Sequence, residues 1–256
     1  MALSVIVFAV VCIVLLPSRR LRIRACNVFG HITGRVSLWL SGARISPGAK
    51  EQMRLAHPAI YVSNHTSVLD IFIGIWLAPL DTCGIAKKQI VWYPFFGQLY
   101  AISGHLLIDR ANRAQAVEAL ADAARLIAKY RIGVYMWPEG TRARDGRLQP
   151  FKKGFAHLAL ATGLPVVPVV VTGAHQVWRK NSVLMHPGDV GIRMLDPIPT
   201  THWTLDDLDA HVAEVHAAFA AALPPEQQPT LPEPTLAPAS LPVAVSLDLP
   251  GTAVRG

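Results

Sequence analysis

The sequence predicts an α/β domain built on a mixed, largely parallel sheet flanked by helices, preceded by an N-terminal membrane-associated helical segment. Two observations carry this expectation. From residue 59 onward, short apolar runs rich in β-branched residues alternate with longer stretches of helical periodicity. Ahead of them, residues 1–16 are almost wholly apolar and uncharged, and a basic run follows. The composition agrees: 52% of the 256 residues are hydrophobic and 16% are charged. The mean hydropathy of +0.34 is more apolar than that of an ordinary soluble domain.

The N-terminal elements come first. Residues 1–16 fall short of the roughly 20 needed to span a bilayer upright, and they lack the positive start of a secretory signal. They read either as a short span whose C-terminal end is cytosolic, or as one arm of a membrane-embedded hairpin. Residues 21–40 mix arginines with Ile23, Val28, Phe29, Ile32, Val36, Leu38, Trp39 and Leu40, which suits a helix lying in the interface. Residues 42–50 read as a turn. The net charge is +7 and the pI about 9.6, so anionic partners are expected. Eight basic residues lie between positions 17 and 54 (Arg19, Arg20, Arg22, Arg24, Arg35, Arg44, Lys50 and Arg54) against one acid, Glu51. Their place beside an apolar segment points to an anionic membrane surface. Zinc-finger spacing, RNA-binding aromatics and a helix-turn-helix pattern are all missing, which argues against nucleic acid. Cys12, Cys26 and Cys83 are odd in number and far apart, so neither a disulfide framework nor a metal site is expected.

In the domain proper, strands are expected near 59–62, 82–86, 105–108, 133–137, 166–171 and 191–195, with helices near 68–77, 113–130 and 153–162. The aromatic run from Trp92 to Gly97 reads as core. Pro168 inside a strand implies an edge, a bulge or a ligand-facing bend. Thr204-Leu205-Asp206-Asp207 resembles a capping box and opens a helix to about residue 223. Beyond it, closely spaced prolines read as a disordered or extended tail. The organisation expected is a membrane-associated segment over 1–42, a catalytic domain over 43–223 and a tail over 224–256.

The chemistry centres on residues 63–70, Ser-Asn-His-Thr-Ser-Val-Leu-Asp, at a strand-to-helix junction. His65 and Asp70 are five apart, too far to share a face of one helix. They meet if His65 lies in the turn and Asp70 in the first helical turn, with Thr66 or Ser67 capping the helix. A carboxylate on one imidazole nitrogen leaves the other basic and makes His65 a general base. Three further stretches carry charge at strand ends. Lys87 follows one strand, and Arg110 follows another beside Asp109. Pro138-Glu139-Gly140-Thr141-Arg142 ends a third, followed by Arg144, Arg147, Lys152 and Lys153. There Gly140 permits close approach of the backbone to a ligand, Thr141 and Arg142 can donate to an oxyanion or phosphate, and the helix opening at Gly154 adds positive dipole.

Taken in this order, Asn64-His65-x4-Asp70, Ala86-Lys87, Gly104 to Arg110, Pro138 to Arg142 and Val167-Pro168-Val169 resemble the glycerolipid acyltransferase family, and most of all the bacterial 1-acyl-sn-glycerol-3-phosphate (lysophosphatidic acid) acyltransferases. Ala143 departs from the serine common there. The resemblance implies that His65, oriented by Asp70, deprotonates the sn-2 hydroxyl of a lyso-lipid, which then attacks an acyl-CoA or acyl carrier protein thioester, with backbone N–H groups holding the oxyanion. No metal or resident cofactor is implied. Lys87, Arg110, Thr141 and Arg142 would hold the acceptor phosphate, with Glu139 and Gly140 shaping the loop. The site would face the cytoplasm at the cell inner membrane. Three rival readings are transfer to another lyso-lipid such as a lyso-ornithine lipid, a serine hydrolase, and a non-catalytic membrane-binding module. Ser63 and Ser67 flank His65 without a Gly-x-Ser-x-Gly elbow, which weakens the hydrolase.

Overall fold

The structure, a computed structural model, describes residues 2–46, 48–92, 96–108 and 113–230. Seven strands form one sheet: β1 (Ala43–Ile45), β2 (Ile60–Ser63), β3 (Thr82–Lys87), β4 (Leu106–Ile108), β5 (Gly133–Met136), β6 (Val166–Thr172) and β7 (Gly188–Met194), in the order β1-β7-β6-β2-β5-β3-β4. All neighbours are parallel except β6 and β7. The mixed, mostly parallel sheet is therefore present. β2 lies near its centre, between β6 and β5. Both faces of β2 are covered, as its unbroken Ile-Tyr-Val run requires. Ile60 and Val62 join a core beneath α6 (Arg113–Tyr130), α7 (Gly154–Thr162) and α9 (Leu208–Ala222), while Tyr61 joins a second core on the opposite face.

That second face carries the N-terminal helices. α1 (Ala2–Val14) turns Phe8 inward, and its ring stacks on Phe29 of α2 (Arg19–Leu40) at 4.5 Å between centroids. α2 buries Ile23, Asn27, Gly30, Gly34 and Leu38, one stripe at helical spacing. Two glycines on that stripe let α2 approach α4 (Leu69–Leu77) closely: a Cβ on Gly34 would stand 2.8 Å from the Phe72 carbonyl oxygen, and one on Gly30 would stand 3.2 Å from that of Ile75. The opposite stripe (Leu21, Val28, Ile32, Val36 and Trp39) is exposed, and so are Ile6, Val7, Val10, Val11, Ile13 and Val14 of α1. Among the described residues no helix is long and apolar enough to cross a membrane.

Several local expectations need correction. Residues 42–50 do not form a simple turn. They contain β1, only three residues long, and lead into α3 (Ala49–Leu55). A strand that short has too few side chains to show alternation, and its place is set by pairing with β7. Trp92 is 82% exposed rather than core, at the end of a 3-10 turn over Lys88–Trp92. Residues 93–95 of that run lie outside the described residues, and α5 (Phe96–Ile102) follows. β6 is not an edge strand. Pro168 is tolerated because it lies just past the last β7 pair, Val169 with Met194. Thr204 does accept from Asp207 N at 3.2 Å, yet α9 starts four residues later, at Leu208. Residues 224–230, assigned to the tail, fold back on the domain. Gln227 is buried, accepts from Gly173 N at 3.0 Å and offers its carbonyl to Leu148 N at 2.9 Å. Residues 231–256 of the tail lie outside the described residues.

The α2–α4 contact yields a test. Gly34→Ala forces a methyl against the Phe72 carbonyl and is expected to cost about 1–3 kcal/mol, read as a lowered thermal midpoint. An unchanged midpoint would mean that the two helices are free to separate.

Candidate active site

β2 ends at Ser63 and delivers residues 64–68 to the carboxyl edge of the sheet, where parallel α/β sheets place their ligands. Asn64 pins the turn to β6. Its side-chain amide donates to Val171 O and accepts from Val171 N, both at 2.8 Å, imitating a strand pair. Asp70 lies in the first turn of α4 and is 1% exposed. Its Oδ2 accepts from Thr66 N at 2.6 Å, Ser67 N at 2.7 Å and His65 Nδ1 at 3.0 Å. The carboxylate ties down the turn ahead of the helix, and Ser67 Oγ accepts from Leu69 N, the first N–H of α4, at 3.0 Å, in line with the capping expected of Thr66 or Ser67. With Nδ1–H directed at Asp70, the lone pair lies on Nε2. The Trp137 ring stacks on the imidazole at 5.0 Å and limits its swing.

The adjacent loop after β5 grips the His65 peptide from both sides. Glu139 Oε1 accepts from His65 N at 2.6 Å, and Ala143 N donates to His65 O at 2.9 Å. Glu139 is 2% exposed, and its other oxygen accepts from Gln149 N at 3.3 Å. Burial pushes the Glu139 carboxyl up to about 8, against the two N–H donors that favour its ionised form, with Asp70 and Asp145 adding repulsion. Glu139 thus ties the loop after β5 to the backbone of His65. Gly140 takes a left-handed φ of 73° and turns the chain, which leaves Thr141 exposed and Arg142 half-exposed.

The expected cations divide. Lys180, which the sequence reading missed, donates to Arg142 O at 2.7 Å and to Thr141 Oγ1 at 3.5 Å. Arg147 donates instead to Pro225 O at 3.4 Å and Gln228 O at 3.2 Å. Lys153 pairs with Asp209 of α9 at 2.7 Å. Lys87 is exposed at the end of β3, on the same edge of the sheet, with β5 between it and β2. Arg110 lies outside the described residues. No signal in the sequence marks Lys180. It arrives through the segment after α8 (Ala174–Val177), where Ser67 Oγ donates to Trp178 O at 2.6 Å. Beside Trp137 an apolar cavity of about 370 Å³ runs between β3, β5, α4 and α2, reaching Phe29 and Phe8. Among the described residues no group of three or more metal-ligating side chains is found.

An imidazole oriented by a carboxylate, beside a cationic loop and an apolar cavity, has the parts of a general-base transfer site. The acyltransferase family model matches residues 44–172, and the chain belongs to that family. It is 42% identical to the 1-acyl-sn-glycerol-3-phosphate acyltransferase of Limnanthes douglasii over 227 residues, covering 89% of this chain and 80% of the relative. It is 36% identical to the enzyme of the same name from Escherichia coli (strain K12), covering 73% and 76%. The crystal structure of a 1-acyl-sn-glycerophosphate (LPA) acyltransferase from Thermotoga maritima superposes with a TM-score of 0.60 at 23% identity, covering 84% of this chain and 92% of that one, a likeness of fold.

The Glu139 carboxyl gives a prediction with a definite sign. A folded-state pKa raised above the ordinary carboxyl value means that the native state binds this proton more tightly than the unfolded chain. Its contribution to stability is complete below the ordinary carboxyl range and is lost as pH rises through about 8. Chemical denaturation across that window should show a falling stability in the unmodified protein and a flatter profile in Glu139→Gln. Parallel profiles would remove Glu139 as the titrating group.

Proposed function

We propose that the protein moves a fatty acyl group from an acyl-CoA or acyl carrier protein thioester to the sn-2 hydroxyl of lysophosphatidic acid, forming phosphatidic acid. The observation that carries this reading is the His65–Asp70 contact, placed between the apolar cavity and the loop of Thr141 and Arg142. His65 Nε2 takes the proton of the acceptor hydroxyl as its oxygen attacks the thioester carbonyl. Asp70 stabilises the imidazolium so formed. The tetrahedral intermediate collapses, the carbon–sulfur bond breaks, and the departing thiolate recovers the proton from His65. A thioester is already activated, so no acyl-enzyme is required. Arg142 and Thr141, with Lys180 behind them and Lys87 at the end of β3, hold the acceptor phosphate, a role that the family resemblance extends to Arg110, outside the described residues. The cavity beside Trp137 suits the acyl chain. The relatives named above support the choice of acceptor.

The same reading places α1 and α2 in one leaflet. Their exposed apolar side chains (Ile6, Val10, Ile13, Val28, Ile32 and Trp39 among others) suit helices that lie in the membrane interface. The catalytic domain then works on the cytoplasmic face of the cell inner membrane, the side that supplies acyl thioesters.

His65→Ala should lower acyl transfer from labelled acyl-CoA by about a thousandfold or more while leaving vesicle binding intact. Near-normal transfer would exclude His65 as the base. Arg142→Ala and Lys180→Ala should each raise KM for lysophosphatidic acid by roughly tenfold, Arg142→Ala the more strongly, with KM for acyl-CoA little changed. Equal losses for donor and acceptor would count against a phosphate role.

A further inference from the structure

The basic residues near the N-terminus do not form one uniform membrane-facing charge. Arg19 donates to Gly104 O and Arg22 to Ile102 O, both at 2.8 Å. Arg20 and Arg24 share Asp81 at 3.1 and 3.6 Å. Arg44 pairs with Asp189 at 2.7 Å. Five of the eight are thus directed at other parts of the chain. The remaining three, Arg35, Lys50 and Arg54, line a single groove of about 600 Å³ with Trp39 and Trp76. It lies between the end of α2, α3 and the end of α4, at the β1 edge of the sheet. β1 is three strands from β2, roughly 14 Å across the sheet, so the groove is distinct from the His65 turn.

The groove has the chemistry of an anion site with an apolar rim. Lys50 Nζ stands 5.5 Å from the centroid of the Trp76 ring. Among the described residues no carboxylate pairs with Lys50 or Arg35. The one acid in the lining, Glu51, is 3.5 Å from Arg54, with both side chains about two-thirds exposed. Burial, followed by the charges of Arg35 and Arg54, lowers the Lys50 pKa, as expected for cations crowded without a counter-ion. On the rim, Trp39 is 76% exposed and continues the apolar stripe of α2, one helical turn from Arg35. Indole at the rim with cations behind it matches the depth profile of a lipid headgroup.

We propose that this groove binds the phosphate-bearing headgroup of an anionic membrane lipid, with Arg35, Lys50 and Arg54 on the phosphate and Trp39 in the interface. The proposal rests on the membrane reading above. Because the proposed product is itself anionic, a product-rich membrane retains the enzyme.

The test uses the full chain and vesicles of phosphatidylcholine, pure or with one-fifth phosphatidylglycerol. Arg35→Gln/Lys50→Met/Arg54→Gln removes the three cations of the groove, and the methionine keeps the packing on Trp76. Arg125→Gln/Lys129→Met/Arg131→Gln removes the same charge from the exposed side of α6 and the turn that follows it. The groove variant should bind the doped vesicles roughly tenfold more weakly than the α6 variant, and the two should bind pure phosphatidylcholine alike. Equal losses on doped vesicles would reduce the effect to bulk charge and overturn the site. Failure of the unmodified protein to bind either vesicle would overturn the membrane reading itself. An arm without charge variants guards against misfolding. Tryptophan fluorescence of the unmodified protein, minus that of Trp39→Phe, should be quenched more by brominated phosphatidylglycerol than by brominated phosphatidylcholine at equal content. Equal quenching would overturn the proposal, and so would displacement of the protein from doped vesicles by inorganic phosphate at constant ionic strength.

Discussion

The His65 peptide, held on both sides by the loop after β5, is the constraint on which the rest of the site depends. Its N–H reaches the buried Glu139 carboxyl and its C=O receives Ala143 N. The proposed base and the proposed phosphate loop are therefore tied to each other through the main chain. The geometry follows from the sheet: β2 and β5 are adjacent and parallel, so their carboxyl ends open side by side. A carboxyl this deeply buried is costly to ionise, and two backbone donors offset only part of that cost. Retaining it there secures the position of the imidazole.

Asp70 supplies the second half of the arrangement. One carboxylate oxygen gathers two backbone N–H groups and the imidazole, so the helix start and the tautomer of His65 are set by the same atom. α4, which carries Asp70, is in turn packed by backbone contact against α2 through Gly30 and Gly34. α2 bears the exposed apolar stripe. A rigid link therefore joins the surface proposed to meet the membrane to the helix that orients the base. The apolar cavity opens in the angle between them.

The charged residues show how little a count of cations says about their use. Arg19, Arg20, Arg22 and Arg24 serve as ties to the turns before β3 and β4, because α2 crosses those turns and long guanidinium side chains can satisfy carbonyl groups there. Arg147 and Lys153 hold the C-terminal segment and α9. Arg35 and Lys50, which have no carboxylate partner among the described residues, lie in the groove beside Trp39 and Trp76, and Arg142 lies on the loop after β5.

Much was legible in the sequence, for local reasons. Short apolar runs rich in β-branched residues and helical spacing identified the longer elements, since the central strands bury both faces and each helix buries one. The five-residue step from His65 to Asp70 implied that they could meet only across a turn and a first helical turn, and the contact is present. Glu139 was legible as part of a loop but not as the acceptor for the His65 N–H, because that bond spans 74 residues and exists only once β5 lies beside β2. Lys180, the Gln227 clasp and the short β1 share that origin: each is placed by a partner distant in the chain, and none has a local pattern to announce it. The sequence by itself thus determined the residue types of the chemistry and the layers that carry them. Only the tertiary structure decided which cations face a ligand and which are spent within the protein, because an arginine reads the same in the chain whatever it will meet in space.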